Sequence, residues 1–344
     1  MNSYRISFLF LFAASILLSG LSTQSGHAKT SDYIPPSAHI FVHVDFASMH
    51  ATPELHKMLQ DLDAEMKQQM IADGVDNVDA MPTLEEFVSV SGALVFKETL
   101  DQQPNVFVAL QFQRDYTETL AMVAEAEGYV VEEADGRTYF KTNDSVVTSA
   151  ENGTVFLMGQ DMEDVSAMLA AKNGTNINSR EDIRVNAAPA ENNYMYVHVD
   201  GPSSINQQIA AFKFQAMAFA GMALAQAPPE QQADLQLLQE AIPHIFDAQG
   251  YELFVGMNKE EMIAQGQGYF ATPEAAAFME RATARGLQVL KEEEPQSAEF
   301  VDNTMLDSSE NMTKMVTRMS REDAVQLIES FTTMMTSNMR SGMY

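Results

Sequence analysis

The sequence predicts an α+β protein made of two tandem related domains, each a mainly antiparallel sheet with helices packed on it. Three observations carry that expectation. Val42-His43-Val44-Asp45 recurs letter for letter as Val197-His198-Val199-Asp200. Ser-Ala-Glu-Asn-Gly-Thr at 149–154 returns as Ser-Ser-Glu-Asn-Met-Thr at 308–313, and a Glu-Asp pair follows each, at Glu163-Asp164 and Glu322-Asp323. Between these markers, strand-like alternation, turn dipeptides and helical stripes come in similar order, and hairpins with segregated helices indicate α+β. The expected boundaries are a signal peptide over 1–28, a first repeat over 29–171, a linker over 172–192 and a second repeat over 193–344. Two such repeats predict a pseudo-dimer within one chain, packed like an isologous pair. Helices on one face of a twisted sheet are the simplest layering.

In the first repeat, Ile40, Val42 and Val44 alternate with Phe41, His43 and Asp45, as a strand requires. Thr52-Pro53-Glu54 predicts a helix start, with Thr52 as N-cap and Pro53 at the first position. Leu55, Met58, Leu59, Leu62, Met66 and Met70 form its apolar stripe. A helical turn near 84–87 leads to strands over 88–96 and 106–112. The helix over 117–127 stops at Gly128. Asp135-Gly136 and Asn152-Gly153 predict type I′ hairpins, because both central residues of that turn take positive φ. A helix over 161–171 closes the repeat.

The second repeat follows the same plan. A strand over 194–200 precedes helices over 204–226 and 228–241, the latter ended by Pro243. Strands follow over 251–257 and 261–270. Thr272-Pro273-Glu274 opens a helix that Gly286 is expected to stop. Late strands lie within 305–317, where Met312 in place of Gly153 weakens the tight turn, and a last helix runs over 320–339.

Composition narrows the functional classes. Arg5, the apolar run Ile6–Leu21 and the small residues Gly26 and Ala28 predict secretory export with cleavage after Ala28, hence a secreted or periplasmic protein. The run is short for a bilayer span of about 20 residues, which favours cleavage over a retained anchor. With no Cys, the fold has neither disulfides nor a thiol nucleophile. Asp and Glu number 48 against 20 Lys and Arg, a net charge of −28. Such a surface repels nucleic acid and anionic lipid. The 24 methionines are expected as core filler. Phosphate-loop, dinucleotide, nucleophile-elbow and His-Glu-x-x-His motifs are absent. The acidic stretch Asp73–Asp79 lacks the glycine and terminal glutamate of a calcium loop.

The Glu163-Asp164 and Glu322-Asp323 pairs read as helix starts, capped by Asp161 and Ser320. One constellation suggests chemistry. His43 and Asp45 share a strand face, as do His198 and Asp200, and an imidazole and a carboxylate at that spacing suit a divalent metal. His39, His50 and His56 crowd the first pair, so His43, Asp45 and His50 are the candidate metal ligands. Phe212, Phe214, Met217 and Phe219 make the helix around 210–225 apolar on several sides, which predicts burial against more than one layer. The leading expectation is an exported, non-enzymatic binding or interaction protein without a cofactor, acting on a protein or small-molecule partner. The alternative is a divalent-metal-binding protein or metal-dependent hydrolase using His43, Asp45 and His50.

Overall fold

The computed structural model describes residues 30–72, 78, 81–97, 102–183, 192–205, 207–293 and 297–326. The expected signal peptide, most of the Asp73–Asp79 stretch, the end of the linker and the last helix beyond 326 lie outside the described residues.

The chain is a mixed helix-and-strand protein around one twelve-stranded antiparallel sheet. The first seven strands are β1 (Ile40–Asp45), β2 (Phe87–Val95), β3 (Asn105–Phe112), β4 (Val130–Ala134), β5 (Arg137–Lys141), β6 (Val146–Ala150) and β7 (Val155–Gly159). The remaining five are β8 (Asn192–Asp200), β9 (Gly250–Met257), β10 (Glu261–Tyr269), β11 (Thr304–Ser309) and β12 (Met312–Ser320). Across the sheet the order is β11-β12-β10-β9-β8-β1-β2-β3-β7-β6-β5-β4. Reading outward from the centre, β1-β2-β3-β7-β6 on one side corresponds to β8-β9-β10-β12-β11 on the other. The hairpin β5–β4 extends the first side alone. The two Val-His-Val-Asp strands are central neighbours, with Val42 opposite Val197, His43 opposite Tyr196 and Phe41 opposite His198.

Helices cover both faces of this sheet rather than one. The reason lies in β1, where both alternating sets of side chains are buried. On one face, Val42, Val44, Val90, Met195, Val255 and Met262 pack under two helices, α1 (Phe46–Ala51) and α2 (Pro53–Ala72), through Phe46, Met49, Leu55, Leu59 and Leu62. This core mixes residues from both sequence repeats. On the other face, Phe41, Ala93, Ala109, Leu157, Tyr196 and Phe254 meet Tyr33, Ile34, Ile177 and Ile183. They also meet Val165 and Met168 of α4 (Met162–Asn173), which follows α3 (Thr117–Glu127). Ile177 and Ile183 belong to the expected linker, which is therefore part of the core. The later helices are α5 (Pro202–Ile205), α6 (Gln207–Gln226), α7 (Pro229–Phe246), α8 (Pro273–Glu293) and α9 (Ala298–Asp302).

Several local expectations change. Thr52 both ends α1 and starts α2: its carbonyl accepts the His56 N–H at 2.8 Å, but its hydroxyl, instead of capping α2, bonds the Ser48 carbonyl at 3.3 Å and Tyr194 Oη at 2.9 Å. Pro243 lies inside α7, whose last turn closes through the Asp247 N–H on the Pro243 carbonyl at 2.9 Å. Gly286 does not stop α8, which continues to Glu293, whereas Gly128 ends α3 with φ of 69°. The two late hairpins exchange their expected tightness. The loop 151–154 has four residues, with Glu151, Asn152 and Gly153 all at positive φ. A Cβ at Gly153 would fall 1.8 Å from the Asp115 carboxylate. The loop Glu310-Asn311 has only two residues, with Ser309 paired to Met312.

Candidate functional site

The two His-x-Asp strand ends share one face of the sheet, yet their surroundings differ. In β1, His43 is buried, and its Nδ1 lies 2.9 Å from Ser91 Oγ on β2. Ser91 continues to Thr30 at 2.9 Å, and Thr30 to Ser89 at 3.1 Å. Burial among neutral hydroxyls pushes the His43 pKa down to about 4. Asp45 is the N-cap of α1, accepting the Ala47 N–H at 2.9 Å. Burial pushes its pKa up to about 7, against the opposing pull of the Ala47 and Ser48 N–H groups.

In β8, His198 stands opposite Glu252 of β9, where His43 has Ser91. Its Nε2 is 3.0 Å from Asp200 Oδ1 and 3.5 Å from Asp182 Oδ2. Its Nδ1 is 4.0 Å from Glu252 Oε1, an ionic contact too long for a hydrogen bond. Burial would lower the His198 pKa, but Asp200 and Glu252 outweigh it and hold the pKa above the usual value. Glu252 also accepts from Tyr196 Oη at 2.5 Å and from Tyr269 Oη. Burial alone would raise Asp200; His198 and Arg180 instead hold it below the ordinary carboxylate range.

Among the described residues, Asp182, His198 and Asp200 form the one group of three side chains whose ligand atoms lie within 4.8 Å of one another. A cation already occupies that convergence. Arg180 Nη2 lies 2.5 Å from Asp200 Oδ1, also bonds Asp182, and comes within 3.4 Å of His198 Nε2. Arg180 Nε reaches Asp182 Oδ1 at 3.0 Å, and Nη1 reaches the Ala38 carbonyl at 2.6 Å. A metal ion here would have to displace a guanidinium that fits both carboxylates. The group therefore clamps the linker and the N-terminal segment to β8.

The expected ligands His43, Asp45 and His50 are not brought together in this way. His43 faces Ser91, Asp45 caps a helix, and His50, in the last turn of α1, faces His56, with Nδ1 atoms 3.4 Å apart. His39 accepts the Phe96 N–H at 3.0 Å. Sequence reasoning missed Arg180 and Asp182, which it assigned to a linker. A signal for them existed: Ser-Arg-Glu-Asp stands at both 179–182 and 320–323. The second arginine, Arg321, also joins distant segments, through a two-pronged contact with Glu54 at 3.0 and 2.7 Å. The capping assignments fit the geometry. Asp161 accepts the Glu163 and Asp164 N–H groups at 2.8 and 2.9 Å, and Ser320 accepts that of Asp323 at 3.1 Å.

The other distinctive surface is α6. Phe212, Phe214, Phe219 and Met222 are 48%, 74%, 68% and 52% exposed, against the burial the sequence predicts. α6 packs along α7, and α7 along α8. Lys213–Asp247 at 2.6 Å and Arg285–Asp234 at 2.6 Å fasten this helical layer. Among the described residues, no helix is long and apolar enough to cross a membrane.

No family model matches the chain, and no curated protein matches it. Among solved structures, three crystal forms of a protein named TP0453 are similar. Form III has a TM-score of 0.45 at 10% identity, covering 88% of this chain and 98% of that one. Forms I and IV have TM-scores of 0.40 and 0.41 at 10% and 11% identity, each over 88% of this chain and 96% and 99% of theirs.

Proposed function

We propose that this chain is an exported, non-enzymatic binding protein, that an internal duplication built it as a pseudo-dimer around the β1–β8 pair, and that its α6–α7 hairpin contacts an apolar partner. Four large apolar side chains of α6 that face solvent, Phe212, Phe214, Phe219 and Met222, carry this reading. A cluster of large apolar side chains facing solvent marks an interaction surface far more often than scattered single residues do. Supporting the same reading, the repeated polar residues serve as caps, turns and clamps. The matching strand order on the two sides of the β1–β8 pair supports the duplication. Export rests on the N-terminal composition alone.

A neutral solvatochromic dye, Nile red, tests the apolar surface without charge repulsion. The full chain is expected to bind it saturably, and the double variant Phe214→Ser, Phe219→Ser to lose that binding. Because both side chains are exposed, the variant should keep its stability to about 0.5 kcal/mol per site. Unchanged dye binding in the variant, or its unfolding, would show that these rings are not an open binding surface.

A further inference from the structure

We propose that His50 and His56 form a site for a late first-row divalent cation, Zn²⁺ or Cu²⁺, held between their Nδ1 atoms and open to solvent on its other side. The two nitrogens stand 3.4 Å apart, with their rings near perpendicular at 83°. That spacing is long for an imidazole–imidazole hydrogen bond. Two nitrogens bound at about 2.0–2.1 Å to one tetrahedral ion lie roughly 3.3–3.4 Å apart, which is the spacing observed. Imidazole is a ligand type suited to both ions.

The surroundings supply what such a site needs. The outer nitrogen of His56, Nε2, is 3.5 Å from Glu85 Oε1 and 3.0 Å from Gln60 Nε2. Gln60 in turn donates to Glu85 at 2.5 Å. The Gln60 amide donates to both His56 Nε2 and Glu85, so the free His56 ring carries its proton on Nδ1, and an ion held between the two Nδ1 atoms takes the place of that proton. The pair is also held in place before any ion arrives. His50 ends α1 and His56 begins α2, and the junction is fixed by the Thr52 N–H on the Met49 carbonyl and the Thr52 hydroxyl on Tyr194. The Leu84 N–H bonds Asp63 at 2.9 Å, which ties the turn bearing Glu85 to α2. The His56 and Glu85 side chains are 37% and 44% exposed, so water can fill the remaining positions and the ion can exchange. Of the three ligands expected from sequence, only His50 belongs to this site.

The test is calorimetric titration of the tag-free full chain with Zn²⁺, repeated with Cu²⁺. One saturable equivalent is expected. His56→Gln, at a partly exposed position that leaves the fold intact, should weaken it more than tenfold. His198→Asn should bind as the parent does. Absence of a saturable equivalent, or parental binding by His56→Gln, would overturn the assignment. Loss of binding in His198→Asn with retention in His56→Gln would overturn it too, by moving the ion to the Arg180 cluster.

Discussion

His43 and His198 hold the same place in a repeated tetrapeptide and titrate in opposite directions. Two substitutions in the surroundings account for this. Ser91 faces His43 where Glu252 faces His198, and Asp200 lies 3.0 Å from the His198 ring where Asp45 caps α1. The pH consequences follow. With its pKa lowered to about 4, His43 contributes stability that is complete above the ordinary histidine pKa and is lost as pH falls toward 4. Raised to about 7, Asp45 acts the other way: its contribution is complete in acid and is lost as pH rises toward 7. His198, raised, adds stability that is complete below its unfolded value and is lost as pH climbs through the folded one. Because these windows overlap, the parental pH curve shows only their difference. His43→Gln separates them. Its stability deficit relative to the parent should shrink by roughly 2 to 3 kcal/mol between neutral pH and about pH 4.5. Urea midpoints at the two pH values measure this, and an unchanged deficit would mean that His43 is not a buried neutral base. The sequence shows both His-x-Asp pairs plainly. Which way each histidine's pKa moves depends on residues 48 and 54 positions away, and no local pattern encodes that contact.

At the scale of elements, local chemistry was legible and partner choice was not. Asp135-Gly136 takes positive φ at both positions, at 51° and 72°, because a two-residue hairpin demands it of any chain. Thr-Pro-Glu occurs twice and behaves differently each time. Thr272 Oγ1 accepts the Ala275 N–H at 3.2 Å, as a cap should, whereas Thr52 turns to Tyr194. The difference is a tyrosine far away in sequence. Likewise, the apolarity of α6 on several sides is real, but Phe212, Phe214, Phe219 and Met222 face solvent instead of a second layer. The two glycines at expected helix stops give a direct check. Gly286 sits in a continuing helix with open space around its missing Cβ, so Gly286→Ala should stabilise by about 0.5–1 kcal/mol. Gly128→Ala should destabilise by about 1 kcal/mol or more, because an L side chain is strained at φ of 69°. Denaturant midpoints of the two variants should move in opposite directions; a shared direction would contradict the helix ends described.

For the whole molecule, the repeated motifs suggested two halves, and one continuous sheet runs through both stretches of chain. The early and late parts of the chain are tied by strand pairing at β1–β8, by a core that draws on both, and by Arg321 reaching back to Glu54. Such extensive sharing predicts one cooperative unfolding transition. In scanning calorimetry the calorimetric and van't Hoff enthalpies should agree, and two resolved transitions would show that the halves are energetically separate. The high negative charge adds a second expectation at this scale: moderate salt should raise the midpoint by screening self-repulsion.

The central place of β1 also fixes an order of events during synthesis. β1 leaves the ribosome early, but its neighbour β8 is complete only when Asp200 has been made. Until then the nascent chain carries an open strand edge beside a half-filled apolar face. Unpaired edges of that kind are the ones that join other chains. A protein joined at its middle is thus most exposed to mispairing halfway through its own birth, and a chaperone holding residues 40–45 would protect it for that interval.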